Sequence, residues 1–220
     1  MIEELPPGIE GSTRDRLLAA GVRLFAEHGF RGTTVGDIEA AAGLQPRRGA
    51  LYHYFPTKQA LLDAAVQTRL GVIEHGLRLL EELPGVDVRA EALLMGRWFL
   101  EKLDAEYYLT RILEQDGDRL PELRELIRSR MVDAGHRGAQ LAVLRWIGPD
   151  SRLDSEALAV ILIAPLVNVR RVTWTYGAPP LGMDDDRLLS TWADVCAQLA
   201  ALRRPVKATS KRTRTGHAHP

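Results

Sequence analysis

Apolar residues along this chain recur at intervals of three and four, the spacing that lines one face of a helix. No stretch alternates apolar and polar positions around a hairpin turn of the Asn-Gly kind. The pattern predicts an all-α protein. The first helix opens on Ser12-Thr13-Arg14-Asp15, a capping-box-like spacing with an acid in the first turn, and carries Leu17, Leu18, Val22, Leu24 and Phe25 at helical spacing. Gly29 ends it, and Phe30 beyond the glycine is expected to fold back onto Phe25. Thr34, whose hydroxyl can accept from the amide of Asp37, starts a second short helix that runs through Ile38 to Gly43. Pro46 lacks an amide hydrogen and is tolerated only in a first helical turn, so a third short helix is expected over about residues 46–54. Two short helices joined by a glycine-containing turn make a helix-turn-helix unit, and the second is sized for the major groove of DNA.

Pro56-Thr57 closes that unit and caps a long helix from about Lys58, with Leu61, Leu62, Ala65, Val66, Leu70, Ile73, Leu77 and Leu80 on its apolar positions. Pro84-Gly85, Asp116-Gly117-Asp118 with Pro121, Gly148-Pro149 and Gly177-Ala178-Pro179-Pro180 divide the remainder. Helices are predicted near 86–104, 106–115, 120–146, 152–176 and 184–203. The expected organisation is a helix-turn-helix domain over 1–57, a helical domain over 58–203, and a basic tail over 204–220 that lacks the apolar residues to order itself.

The strings TTVGDIEAAAG and GALYHYFPTKQALL, within residues 12–63, resemble the DNA-binding module of the TetR (tetracycline-repressor-like) family of transcriptional regulators. The most specific part is Leu51-Tyr52-His53-Tyr54-Phe55 followed by Lys58. The resemblance implies a homodimer on a palindromic double-stranded DNA operator, with a C-terminal helical bundle that binds a small effector and dimerises through its last two helices. The residue chemistry agrees. Leu51 and Phe55, four apart, face inward, while Arg47, Arg48 and Tyr52 look outward. Either arginine suits the O6/N7 edge of guanine or a phosphate, and Gly49 and Ala50 permit close backbone approach. Tyr52, Tyr54 and Lys58 suit phosphate oxygens, and His53 and Thr34 complete the DNA-facing set. Seven residues separate Gly43 from Leu51, two more than the commoner family spacing, so Arg47 falls either in the recognition helix or in the turn before it. Gly36 stands where a longer polar or basic residue is common in the family.

The segment from Ala157 to Val167 is apolar all round and asks for cover on every side. Together with Leu188, Leu189, Trp192, Val195, Leu199 and Leu202 it is expected to form a four-helix interface between two subunits. Pro165 should kink its helix and free a carbonyl near Ile161. Met95, Trp98, Phe99, Tyr107, Tyr108, Met131 and Trp146 are candidate walls of an apolar effector pocket, with Arg111, the two tyrosines and the kink at Pro165 as polar points.

The whole chain has 220 residues, 45% apolar, and 29 basic side chains against 29 acidic, which excludes a disordered polyelectrolyte. The first 57 residues hold six arginines against seven acids, so affinity for DNA must come from placement rather than net charge. The eleven residues from Ala157 to Val167 fall short of the ~20 needed to span a bilayer, and the N-terminal stretch is acidic where a signal peptide is basic. With the single Cys196, this points to a cytoplasmic protein without membrane partner. His28, His75 and His136 are scattered, no nucleophile elbow, phosphate loop or zinc motif occurs, and Asp184-Asp185-Asp186 sits at a helix start. No enzyme activity, metal or cofactor is expected. The rival reading is a helical small-molecule-binding or catalytic protein whose helix-turn-helix no longer binds DNA specifically.

Overall fold

The computed structural model describes residues 12–81 and 87–202, and the basic tail lies outside them. Among the described residues the regular structure is entirely helical. Helices α1 (Thr13–Gly32), α2 (Val35–Ala41) and α3 (Ala50–Tyr54) precede the long α4 (Lys58–Glu81). Then come α5 (Val88–Ala105), α6 (Tyr107–Asp116), α7 (Pro121–Ile127), α8 (Asp133–Ile147), α9 (Ser155–Tyr176) and α10 (Asp185–Ala201). The single helix expected over 120–146 is interrupted by a π-helical stretch, Arg128–Val132, beside which Arg128 is held by Glu125 and Asp133.

The predicted caps form. Ser12 accepts from the amide of Asp15 at 3.3 Å, and Phe25 and Phe30 meet with ring centroids 5.0 Å apart. Gly29, at φ 78°, kinks α1 rather than ending it, and one more turn follows. That bend is held from outside: the Asp116 carboxylate at the end of α6 accepts from the amide of Phe30 at 2.7 Å, and Gln115 donates to the Ala26 carbonyl at 2.8 Å. Thr33 donates to the carbonyls of Leu24 and Gly29.

Two cores result. In the first, Leu17, Phe25, Ile38, Leu51 and Phe55 pack with Leu61, Leu62, Val66 and Leu70 of α4 and with Leu109, Ile112, Leu123 and Ile127 of α6 and α7. The segment boundary at residue 57 is therefore no boundary in packing. The second core joins α5, α8, α9 and α10 through Ala92, Val143, Trp146, Ile147, Leu162, Ala193 and Cys196. By length and composition α9 could cross a membrane. Here it buries Ala159, Leu162, Ile163, Leu166 and Val169. Its Arg170 is clamped by Asp104 at 2.8 Å and by both carboxylate oxygens of Asp185 at 2.7 Å. Asp184 caps α10 and Asp186 pairs with Arg97, so the three aspartates serve a helix start and two ion pairs. Burial pushes the Cys196 thiol up to about 12, which leaves it an inert core residue.

Glu106, at the corner between α5 and α6, is buried with one carboxylate oxygen lacking a partner among the described residues. Burial raises its pKa above the ordinary value, opposed by the charges of Arg69 and Lys102. Because the folded state holds this proton more tightly than the unfolded chain, the group costs stability as pH rises above the ordinary carboxylate range, and the cost is absent below it. Glu106→Gln, which copies the protonated form, should raise the melting temperature at neutral pH, and the gain should vanish below about pH 4. Equal melting curves for both proteins at neutral pH would contradict this.

Candidate nucleic-acid interface and inner cavity

The expected recognition helix, α3, is only five residues long and begins at Ala50, not near Pro46 as the proline suggested. Residues 46–49 form a turn, because Arg47 and Gly49 both take left-handed backbone with φ 62° and 74°, which no helix accommodates. Arg47 therefore lies in the turn. Glu39 on α2 explains the conformation. Its side chain is 0% exposed, and its two oxygens accept from the amides of Arg47 at 2.7 Å and Leu51 at 3.0 Å. One buried carboxylate thus fixes the turn and caps the start of α3. Before it, α2 ends in a Schellman motif, with Leu44 N–H donating to the Glu39 carbonyl and Gly43 N–H to that of Ala40, and Gly43 at φ 71°. Nothing in the hydrophobic pattern marked Glu39; its only sign was an acid within an otherwise small and apolar stretch.

Around this turn the candidate contacts are exposed. Arg47 and Arg48 project from the turn, Gly49 and Ala50 are half-buried, and Tyr52 (57% exposed), His53 and Tyr54 emerge from α3, with the last two rings edge to face. Leu51 and Phe55 point inward as the four-residue spacing predicted. Gly36 has room beside it for the Arg47 side chain, whose Cγ would lie 3.5 Å from any Cβ there. Thr34 is committed to capping: its hydroxyl accepts from Asp37 N–H at 3.2 Å and donates to the Asp37 carboxylate at 2.6 Å, and this hydrogen bonding lowers the Asp37 pKa. Lys58 departs from expectation. Its ammonium turns inward to the carbonyls of Phe30 and Thr33 and lies 4.5 Å from the Phe30 ring, so it closes the end of α1 rather than reaching a phosphate. Burial lowers its pKa. Arg14, which the sequence did not single out, sits over the Phe55 ring at 5.2 Å.

A second concave site lies in the body. Met95, Trp98, Phe99 and Trp146 line a cavity of about 50 Å³, joined by Leu77, Ala139, Leu162, Ile163, Leu166 and Trp192. The other candidates lie elsewhere. Tyr107 stacks edge-on against Tyr108 and Trp174, Tyr108 and Met131 pack on the first core, and Arg111 is exposed beside Glu114. Pro165 faces outward on α9; the carbonyl that gains a partner beside the cavity is that of Leu162, which accepts from the Trp192 indole at 2.8 Å. Aromatic residues clustered in sequence were separated because α6 joins the first core while α5 spans the second. Close helix approach also supplied walls: a Cβ on Gly76 would lie 2.5 Å from the Trp98 ring, and one on Gly96 would lie 2.7 Å from Leu189.

These features define an all-helical protein with a helix-turn-helix module seated on a hollow helical body. Residues 17–65 match the family model described as bacterial regulatory proteins, tetR family. Over those residues the helix-turn-helix segment of this chain is similar to that family. Among curated relatives, the chain is 32% identical over 109 residues to the HTH-type transcriptional repressor KstR2 of Rhodococcus jostii, covering 49% of this chain and 51% of that one. It is 34% identical over 118 residues to the HTH-type transcriptional regulator CymR of Pseudomonas putida, covering 53% and 56%. The matches span about half the length of these relatives. The fold is similar to that of the fatty acid degradation regulator FadR from Bacillus halodurans, with a TM-score of 0.59 at 19% identity over 88% of this chain and 96% of that one. It is also similar to a TetR-like transcriptional regulator from Rhodococcus sp. RHA1, with a TM-score of 0.60 at 19% identity over 90% and 97%.

Glu39→Ala should leave the amides of Arg47 and Leu51 without an acceptor, at about 1–3 kcal/mol for each. Urea unfolding should show that loss, whereas an unchanged midpoint would mean that the turn holds itself.

Proposed function

We propose that the protein is a DNA-binding transcriptional regulator, a repressor that binds a palindromic operator as a homodimer and is released by a small apolar effector. The observation that carries this is the rigid turn built on Glu39, which presents Arg47, Arg48, Tyr52, His53 and Tyr54 on one exposed edge while Leu51 and Phe55 anchor the helix. Arginine reads guanine edges, and tyrosine hydroxyls hold phosphate. Lys58 contributes its place at the start of α4 rather than its charge. The helix-turn-helix relatives support the reading, and a regulator of this kind works beside chromosomal DNA, hence in the cytoplasm.

The dimer is proposed to form on α9 and α10. Leu162 and Trp192 are turned into the body, so the exposed apolar surface is instead Val160, Ile161 (62% exposed), Ala164 and Pro165 of α9 with Val195 of α10 and Leu202 just past its end. The rival, a helical binding protein whose module no longer recognises DNA specifically, draws on the lack of net positive charge in the module. A selection of genomic fragments on the purified protein under excess bulk DNA separates the two. Enrichment of a palindromic site supports the regulator, and no enrichment supports the rival.

Arg47→Ala and Arg48→Ala should change operator preference, with a lost bidentate base contact costing about 1–3 kcal/mol at one position. Tyr52→Phe should instead weaken binding evenly across sequences. Unaltered preference in both arginine variants would move base reading to His53 and the backbone at Gly49.

Ile161→Asp and Val195→Asp should sediment as monomers, because an unpaired buried charge is costly, and should lose tight operator binding. Two unchanged dimers would place the interface elsewhere.

A further inference from the structure

The cavity in the body is apolar on nearly every side, with indoles from Trp98, Trp146 and Trp192 on its walls, and one charged residue, Arg145, among them. What holds Arg145 lies just behind. Glu91 of α5 is buried, and its two carboxylate oxygens accept from Arg145 Nη2 and from Trp146 Nε1, the latter at 2.9 Å. Each oxygen of the carboxylate thereby has a donor from its own fold. The guanidinium has donors left over: among the described residues it engages Glu91 through Nη2, and the side chain stays 43% exposed. An arginine carries five N–H donors and can serve a second carboxylate. Arg170 does so in this protein, between Asp104 and Asp185.

We infer that the cavity takes a small amphipathic carboxylate, its single ring or short alkyl chain among the tryptophans and its anionic end on the free edge of Arg145. This deepens the effector reading and rests on it. A base-like or cationic ligand would meet the guanidinium with like charge. A wholly apolar one would leave the guanidinium's remaining donors to water at the cavity rim. The present volume of about 50 Å³ requires side chains to move on entry, and Trp98, packed closely on Gly76, is one wall whose movement would enlarge it.

Three of the four tryptophans line the cavity, so intrinsic fluorescence reports its occupancy without DNA. The probes are hexanoate and 4-phenylbutyrate against their primary amides, which match them in shape and lack the charge. The wild-type protein should bind each acid at least roughly tenfold more tightly than its amide, a difference of about 1.4 kcal/mol. Arg145→Gln should bring that ratio close to one, and Arg145→Lys should keep a preference for the acid. The ratio is measured within each variant, so a general loss of stability does not imitate the result. Equal binding of acid and amide by the wild-type protein, a ratio unmoved in Arg145→Gln, or no saturable response to either acid at millimolar concentration would overturn the inference. Operator affinity is measured separately. Acid binding that depends on Arg145 but leaves operator affinity unchanged would uphold the site and refute the effector reading.

Discussion

A helix of five residues closes little more than one hydrogen-bonded turn, and helix nucleation is unfavourable without help from packing. Helix α3 is such a helix, and together with the turn before it α3 carries the side chains proposed to face a DNA groove. Its stability comes from outside: Leu51 and Phe55 are sunk in the first core, and the buried Glu39 carboxylate receives the amides on either side of the preceding turn. Burying a carboxylate costs several kcal/mol unless its oxygens are occupied, so the charge and the turn stabilise each other. This also accounts for Arg47 with a positive φ, a strained position for a side chain other than glycine that persists when its surroundings over-determine it.

The same logic extends into the body. The kink of α1 at Gly29 leaves backbone groups that α1 cannot satisfy, and α6 and α4 supply the partners through Asp116, Gln115 and Lys58. The module is thereby sewn to α6 by hydrogen bonds and to α4 by a shared apolar core. One element reaches both centres. The first half of α4 buries Leu61, Leu62 and Val66 under the recognition helix, while Leu77 and Leu80 near its end line the cavity and Gly76 seats Trp98. A ligand that displaces Trp98 therefore presses on the helix that carries the module. Whether this shifts DNA affinity depends on the ligand favouring one arrangement, since equal affinity for both would shift nothing.

Much of this was legible in the chain. Helical periodicity, the Ser12 and Thr34 caps, Gly29 with Phe30, and Gly43 identified the elements, because each acts within a few residues of sequence. The start of α3 was misplaced because Pro46 is compatible with both a first helical turn and a tight turn, and the deciding contact comes from Glu39, eight positions before Arg47. The place of Lys58 at a helix start suggests a phosphate contact, but its partners are carbonyls 25 and 28 positions away in the chain. The cavity was half visible. Aromatic composition found Met95, Trp98, Phe99 and Trp146, yet it could not separate them from Tyr107, Tyr108 and Met131, because that division follows from which core each helix joins.

The electrostatics of the module constrain how it could work. Bound DNA releases counterions in proportion to the phosphates neutralised, and this term supplies most non-specific affinity. Arg47 and Arg48 are free to project from the recognition turn, whereas the ammonium of Lys58 is spent inside the fold and acids outnumber arginines in the first 57 residues. Under the proposed function a single module would offer few phosphate contacts and little affinity of its own. Joining two modules turns the second contact into an intramolecular one, with an effective concentration set by the spacing of the half-sites. In the proposed dimer, the apolar strip of α9 and α10 would therefore set DNA affinity as directly as the residues that face the groove.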